Sequence, residues 1–226
     1  MKKMGLVVAV EVQSVLNKYG TPVKEEKIDA YNVLTYNLNN NTLYVISCGV
    51  GEIAAAAATQ FCISKLNCKM IITFGIVGGL TKEMSETKTC IVERIVHYDF
   101  DTSADTKYKP AQYSAYPDIY IPSTPELVDK ALAIKSDLKK VTIASGDKFV
   151  GTASKKKKLH KTFNADICDM EAAGIALTCN RNNIPFLMIK CVSDGFKSGI
   201  ATFEEYFDKS ASTCFEITDK ILQQLK

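Results

Sequence analysis

Pro185-Phe186-Leu187-Met188-Ile189-Lys190-Cys191-Val192-Ser193-Asp194 is an apolar run that stops on an acid. Its length and β-branched content predict a buried strand, with Ser193-Asp194-Gly195 at the strand end. A shorter run upstream behaves the same way. Ala165-Asp166-Ile167-Cys168-Asp169-Met170 reads as a strand, and Glu171 opens an Ala-rich helical pattern over residues 172–179. In an open α/β sheet the strand ends form the rim where ligands bind. Two carboxyl groups on neighbouring strand ends can hold a polyhydroxylated ring with one and protonate a leaving group with the other, which is the chemistry of glycosyl transfer.

Strand-like and helix-like runs alternate along the whole chain, the pattern of a sheet covered on both faces. Gly5-Leu6-Val7-Val8-Ala9-Val10 reads as the first buried strand, and Val12, Val15, Leu16 and Tyr19 recur at helical spacing up to Gly20. Residues 32–38 and 42–47 alternate as strands around the turn Asn39-Asn40-Asn41. Residues 52–66 form an Ala-rich helix. Residues 70–74 form a short strand that ends in Gly75-Ile76-Val77-Gly78-Gly79. Further strands fall at 89–96 and 140–144, a helix starts at Thr124-Pro125-Glu126, and a long amphipathic segment over 203–225 closes the chain. Residues 98–122 are the longest stretch without a clear period, as functional loops often are.

Composition excludes several classes. With 226 residues and 46% hydrophobic content the chain can bury a full core, and it reads as one domain over 1–226. A net charge of +3, with acids and bases interspersed, calls for neither nucleic acid nor a membrane surface. Lys155-Lys156-Lys157-Lys158 reads as the solvated face of a helix rather than a nucleic-acid or localisation patch. No apolar stretch approaches the roughly 20 residues of a spanning helix, and Glu11 interrupts the apolar N-terminus before it can form a signal peptide. Cys48, Cys62, Cys90, Cys168, Cys179, Cys191 and Cys214 sit in apolar periodic segments without metal-ligand spacing, so reduced thiols and a cytoplasmic location are expected.

Six landmarks occur in order: Gly5-Leu6-Val7-Val8-Ala9-Val10-Glu11, Cys48-Gly49-Val50-Gly51, Gly75-Ile76-Val77-Gly78-Gly79-Leu80, Ser145-Gly146-Asp147-Lys148-Phe149-Val150, Asp169-Met170-Glu171-Ala172 and Val192-Ser193-Asp194. Through them the chain resembles, nearly end to end, the nucleoside phosphorylase/nucleosidase superfamily. The bacterial 5'-methylthioadenosine/S-adenosylhomocysteine nucleosidases are the nearest group in it. The resemblance implies a single α/β domain with a mixed, twisted central sheet flanked by helices. It also implies a homodimer, a purine nucleoside as the small-molecule partner, and neither metal nor organic cofactor.

By that resemblance Asp194 is the general acid, donating to N7 of the purine as the C1'–N9 bond stretches. Such help contributes roughly 10²- to 10⁴-fold, and it requires an acid raised well above the usual aspartate value of about 3.9. The plainer reading is an aspartate capping the next turn. Glu171 would accept from the ribose 2'- and 3'-hydroxyls and stabilise the developing oxocarbenium charge, with Met170 against the sugar ring. Phe149 would stack on the purine while the Val150 backbone reads its edge, and Phe203 would lie near the 5' substituent. Ser193, Ile76, Gly78 and Val50 complete the expected binding site. The glycines near Ile76 and Val50 permit close backbone approach or positive φ, and Cys48-Gly49-Val50-Gly51-Glu52 also opens a helix N-terminus that favours anions.

Three positions depart from the pattern. Aligned without a gap, the family's water-activating glutamate falls on Gln13, which can orient a water but cannot take its proton; shortening the turn by two residues puts Glu11 there instead. Ile76 replaces a small hydroxyl residue. The polar loop over residues 101–108 stands where an apolar 5'-alkylthio pocket is expected, and dimerisation would let it close the partner's pocket. These departures weaken the transfer of roles, and hydrolysis stays the main reading by the resemblance. Phosphorolysis and a nucleoside-binding protein with reduced turnover stay open beside it, although phosphate is usually clamped by arginine and this chain has only Arg94 and Arg181.

Overall fold

The computed structural model describes residues 2–104, 107–197 and 200–225. The elements are β1 (Lys3–Val8), α1 (Val12–Tyr19), β2 (Lys24–Ile28), β3 (Tyr31–Leu38), β4 (Asn41–Ser47), α2 (Glu52–Ser64), β5 (Met70–Gly79) and β6 (Thr89–His97). They continue with β7 (Ile121–Pro122), α3 (Pro125–Ile134), β8 (Lys139–Ser145), α4 (Ala153–Phe163), β9 (Ile167–Asp169), α5 (Ala172–Arg181), β10 (Phe186–Asp194) and α6 (Ile200–Leu222).

The sheet runs β10-β6-β8-β9-β5-β1-β4-β3-β2, and β10 also pairs with β5. That extra pairing closes β5, β10, β6, β8 and β9 into a ring. The remaining strands extend from β5 as an open wing. The pairing is mixed, as expected: β1 lies parallel to both β4 and β5, and β10 is parallel to β5 but antiparallel to β6. β10 is buried along all nine residues, as a strand with neighbours on both edges and helices over its faces must be. One core layer packs β-strand residues such as Val7 and Ile71 against Ala55 and Ala58 of α2 and Ala173 and Ala176 of α5. The opposite layer packs Leu6, Phe74 and Ile189 against Val15 of α1 and Phe215 and Leu222 of α6. Each such side chain contributes about 1.5–3 kcal/mol by leaving water.

Several boundaries differ from the sequence expectations. β1 stops at Val8, where its pairing with Ser47 ends, so Ala9 and Val10 form a turn instead of continuing the strand. β5 does not end at Phe74 but runs through the glycines to Gly79, held by β10 on one edge and by β9 at Gly78 and Gly79. β9 is only three residues long, and just before it the Asp166 Oδ2 accepts from the Thr142 amide at 2.9 Å. β2, Lys24-Glu25-Glu26-Lys27-Ile28, was not anticipated: it is an edge strand whose charges hide any alternation while discouraging edge-to-edge pairing. Thr124 precedes α3 as expected, but its Oγ1 accepts from the Phe186 amide at 2.9 Å and so ties α3 to β10 rather than capping its own helix.

Within the 98–122 stretch, Phe100 and Tyr113 stack with centroids 3.9 Å apart. His97 Nδ1 lies 2.7 Å from the Tyr113 hydroxyl, and its Nε2 lies 2.9 Å from Glu52 Oε2. The stretch is thereby anchored to the first turn of α2.

Candidate active site

A cavity of about 240 Å³ opens where β1, β8, β9 and β10 end and where β5 passes through its glycines. Its wall includes Glu11, Val50, Ile76, Gly78, Phe149, Val150, Met170, Glu171, Asp194 and Phe203. Ten of the twelve residues singled out from the sequence thus meet in one space. Gln13 and Ser193 are the exceptions.

Gln13 lies on the solvent side of α1, where its Nε2 donates to Asn17 Oδ1 at 2.8 Å. Glu11 takes the inner position instead. Because β1 stops two residues early, Glu11 immediately precedes α1, and its buried carboxyl group turns back under β5. Oε1 accepts from the Ile76 amide and Oε2 from the Val10 amide, each at 3.0 Å. Ile76 therefore contributes its backbone N–H where a hydroxyl side chain was expected. A Cβ on Gly75 would stand 2.9 Å from Glu11 Oε1. The glycine makes room for this carboxylate by close approach, and among the described glycines positive φ is confined to Gly20, Gly49 and Gly51.

Glu171 immediately precedes α5. Its Oε1 accepts from the Gly51 amide at 2.9 Å, and the next amide, that of Glu52, donates to Asp147 Oδ1 at 2.7 Å. The N-terminus of α2 thus spends its unpaired donors on two carboxylates of the chain itself, the favourable end of the helix dipole for anions. Gly51 has φ 107°, a conformation that a side chain would strain.

Beneath the cavity floor Lys190, the one charge in an otherwise uncharged strand interior, lies 3.0 Å from Asp169 Oδ2, both side chains buried. Burial works to lower the Lys190 pKa, but the charges of Asp169, Glu171 and Glu11 overcome it and hold the ammonium above the usual lysine range. Burial, and then the charge of Asp169, push Glu171 up to about 7. Lys190 and Asp169 were not singled out from the sequence; a lysine inside an apolar strand demands a buried partner, and that signal could have found the pair.

Asp194 is the last residue of β10 and does not cap a turn. Its Oδ2 accepts from Lys156 Nζ at 2.5 Å and its Oδ1 from Ser193 Oγ at 3.0 Å. Ser193 is fully buried behind the acid, its hydroxyl also 3.3 Å from the Val77 carbonyl. It supports Asp194 rather than lining the cavity. Burial raises the Asp194 pKa although Lys156 and Ser193 pull it down. The expectation of a solvated Lys155–158 face fails at one residue: Lys156 is 0% exposed, while its three neighbours in the run are exposed. It falls three residues before Leu159 and seven before Phe163, on the inward stripe of α4.

Phe149 and Phe203 meet edge to face at 5.8 Å between ring centroids. Phe149 is 46% exposed and Val50 57% exposed at the cavity mouth. Among the described residues, none of 101–108 lines this cavity; Asp105 and Thr106 lie outside the described residues. Arg94 is turned away from it, donating to Thr142 Oγ1 at 2.8 Å and stacked over Tyr120 at 4.1 Å.

Residues 3–223 match the family model described as the phosphorylase superfamily. The 5'-methylthioadenosine/S-adenosylhomocysteine nucleosidase of Staphylococcus aureus (strain JH9) is 28% identical over 229 residues, spanning 98% of this chain and all of the relative. A futalosine hydrolase mutant of Helicobacter pylori strain 26695 shares the fold with a TM-score of 0.92 at 22% identity over the full length of both chains. The nucleosidase of Colwellia psychrerythraea 34H, solved in complex with adenine, gives a TM-score of 0.88 at 25% identity, covering all of this chain and 96% of the other.

Proposed function

Since the chain belongs to the phosphorylase superfamily, we propose that it hydrolyses the N-glycosidic bond of a purine nucleoside, releasing the free base and the ribose moiety. The observation that carries this reading is that Glu11, Glu171 and Asp194 face one cavity whose wall also holds Phe149 and Met170. The purine stacks on Phe149, and Asp194 gives its proton to N7 as the electron pair of the C1'–N9 bond passes to the base. Glu171 accepts from the ribose hydroxyls, and its charge steadies the cationic sugar. Glu11 takes a proton from the water that adds to C1'. Both of its oxygens are already oriented by backbone amides, so the base is preorganised.

Water fits this cavity better than phosphate. Neither arginine lines it, and a phosphate beside Glu11 and Glu171 would meet two carboxylates. The apolar mouth formed by Val50, Phe149 and Phe203 favours an adenine nucleoside with an apolar 5' substituent, of the 5'-methylthioadenosine or S-adenosylhomocysteine type. Val50 and, on the first turn of α2, Ile53 at 82% exposure extend the apolar rim outward. That rim supports a homodimer in which a second copy covers the mouth. The eight free thiols suit a reducing compartment, in keeping with a cytoplasmic location. No helix among the described residues is long and apolar enough to cross a membrane.

The test is to incubate the protein with 5'-methylthioadenosine, adenosine and inosine, with and without phosphate, and to follow free base and ribose 1-phosphate. Base release that is independent of phosphate is expected. Ribose 1-phosphate would make the protein a phosphorylase, and binding without release a nucleoside binder.

A further inference from the structure

Lys156 lies outside every role assigned above, yet it is one of the most completely enclosed side chains in the molecule. Its three ammonium protons have three acceptors: Asp194 Oδ2 at 2.5 Å, the Asp194 carbonyl at 3.0 Å and the Gly195 carbonyl at 2.7 Å. A lysine carried from α4 into the end of β10 loses its hydration and most of its rotamer freedom, and only strong partners offset that cost. All of those partners belong to the proposed acid and the residue after it.

We propose that Lys156 is a positioning residue for Asp194: it fixes the plane of the carboxyl group at the strand end and neutralises the charge left there once the proton has gone to the base. This rests on the reading of Asp194 as the general acid. In the step concerned, the O–H bond of Asp194 breaks, the N7–H bond forms and the C1'–N9 pair moves onto the base. The new carboxylate then stands beside a cation that was in place beforehand, and no solvent has to reorganise in a buried site. After release of the base, solvent returns a proton to Asp194.

The other groups facing Asp194 do not duplicate this function. Ser193 offers a neutral hydroxyl from β10. Cys168 of β9 is a buried thiol whose own pKa is pushed up to about 12, chiefly by burial. Glu86, before β6, accepts from the Gly195 amide at 2.9 Å and brings negative charge. Glu11 and Glu171 share the cavity, and both are acids. Lys156 is the cation that contacts the acid among the described residues.

The experiment compares kcat, KM and the pH profile for 5'-methylthioadenosine in wild type, Lys156→Met and Lys156→Arg, with thermal melts confirming that each is folded. Without the ammonium, Asp194 becomes a weaker acid. In Lys156→Met, kcat falls by about 10- to 100-fold, KM changes less than about threefold, and the alkaline limb moves to higher pH by roughly a unit. Lys156→Arg keeps the limb where it is in wild type, because the charge is retained. A Met variant with the wild-type kcat and an unmoved limb would overturn the proposal, as would an Arg variant whose limb moves with that of Met. If Lys156→Met does not fold, Lys156→Gln, which can still donate to the carbonyls, carries the same expectation. If wild type releases no base, the proposed function fails separately. The Lys156 proposal is then decided by calorimetric proton uptake on adenine binding: its midpoint should move to higher pH in Lys156→Met, and an unchanged midpoint rejects it.

Discussion

At the residue scale the site is a set of carboxyl groups of like charge kept apart in function by what each one touches. Glu11 is gripped by two backbone amides, Asp194 by an ammonium, and Glu171 by the Gly51 and Met170 amides while Asp169 repels it. Glu11→Gln should lower base release by about 10²- to 10⁴-fold. Gln13→Glu should leave it unchanged, since the side chain points to solvent; a gain from that variant in steady-state assays would show that the assignment of Glu11 is wrong. Glu171 also links stability to pH. Its pKa in the folded protein is about 7, against an ordinary 4.5, so the protonated form favours folding. Its contribution is complete below about pH 4.5 and is lost as the pH rises through about 7. Across that window the melting temperature of the unliganded protein should fall more steeply in wild type than in Glu171→Gln, and parallel curves would refute the shift. That Glu171 and Asp194 meet at one cavity was legible in the sequence, because each ends or follows an apolar run. Which of Glu11 and Gln13 turns inward was not, since that depends on β1 ending at Val8 rather than Val10.

At the scale of elements, the glycine-bearing part of β5 is what lets three strands share one cavity. Gly75→Ala puts a methyl group within 2.9 Å of Glu11 Oε1, so it should displace the base and reduce kcat by an order of magnitude or more while the fold persists. Circular dichroism alongside the turnover assay separates the two effects; unchanged kcat would mean that Glu11 moves without consequence. The alternating strands and helices, the hairpin at Asn39-Asn40-Asn41 and the closing helix could all be read from period and turn chemistry. The glycine strand could not, because glycine has low strand propensity and only the pairing with β10 and β9 keeps this segment extended. The burial of Lys156 escaped for a related reason. A run of four lysines looks uniform along the chain, and only the helical stripe through Leu159 and Phe163 singles one of them out.

At the scale of the molecule, the apolar rim at Val50 and Ile53 should be covered by a second copy of the chain. Ile53→Asp is expected to shift the sedimentation coefficient of wild type from dimer to monomer and to raise KM more than it lowers kcat; a wild type that sediments as a monomer would remove the homodimer from the account. The ring formed by β5, β10, β6, β8 and β9 has a separate consequence. Glu171 lies two residues beyond one of these strands and Asp194 ends another, with β5 hydrogen-bonded to both strands, so the span between the proposed sugar holder and the proposed proton donor is locked by the barrel. Phe149 and Phe203 stand outside that ring, on a loop and on α6. A lineage could therefore exchange these two rings to admit bulkier or smaller nucleosides while the bond-breaking hardware stayed in register.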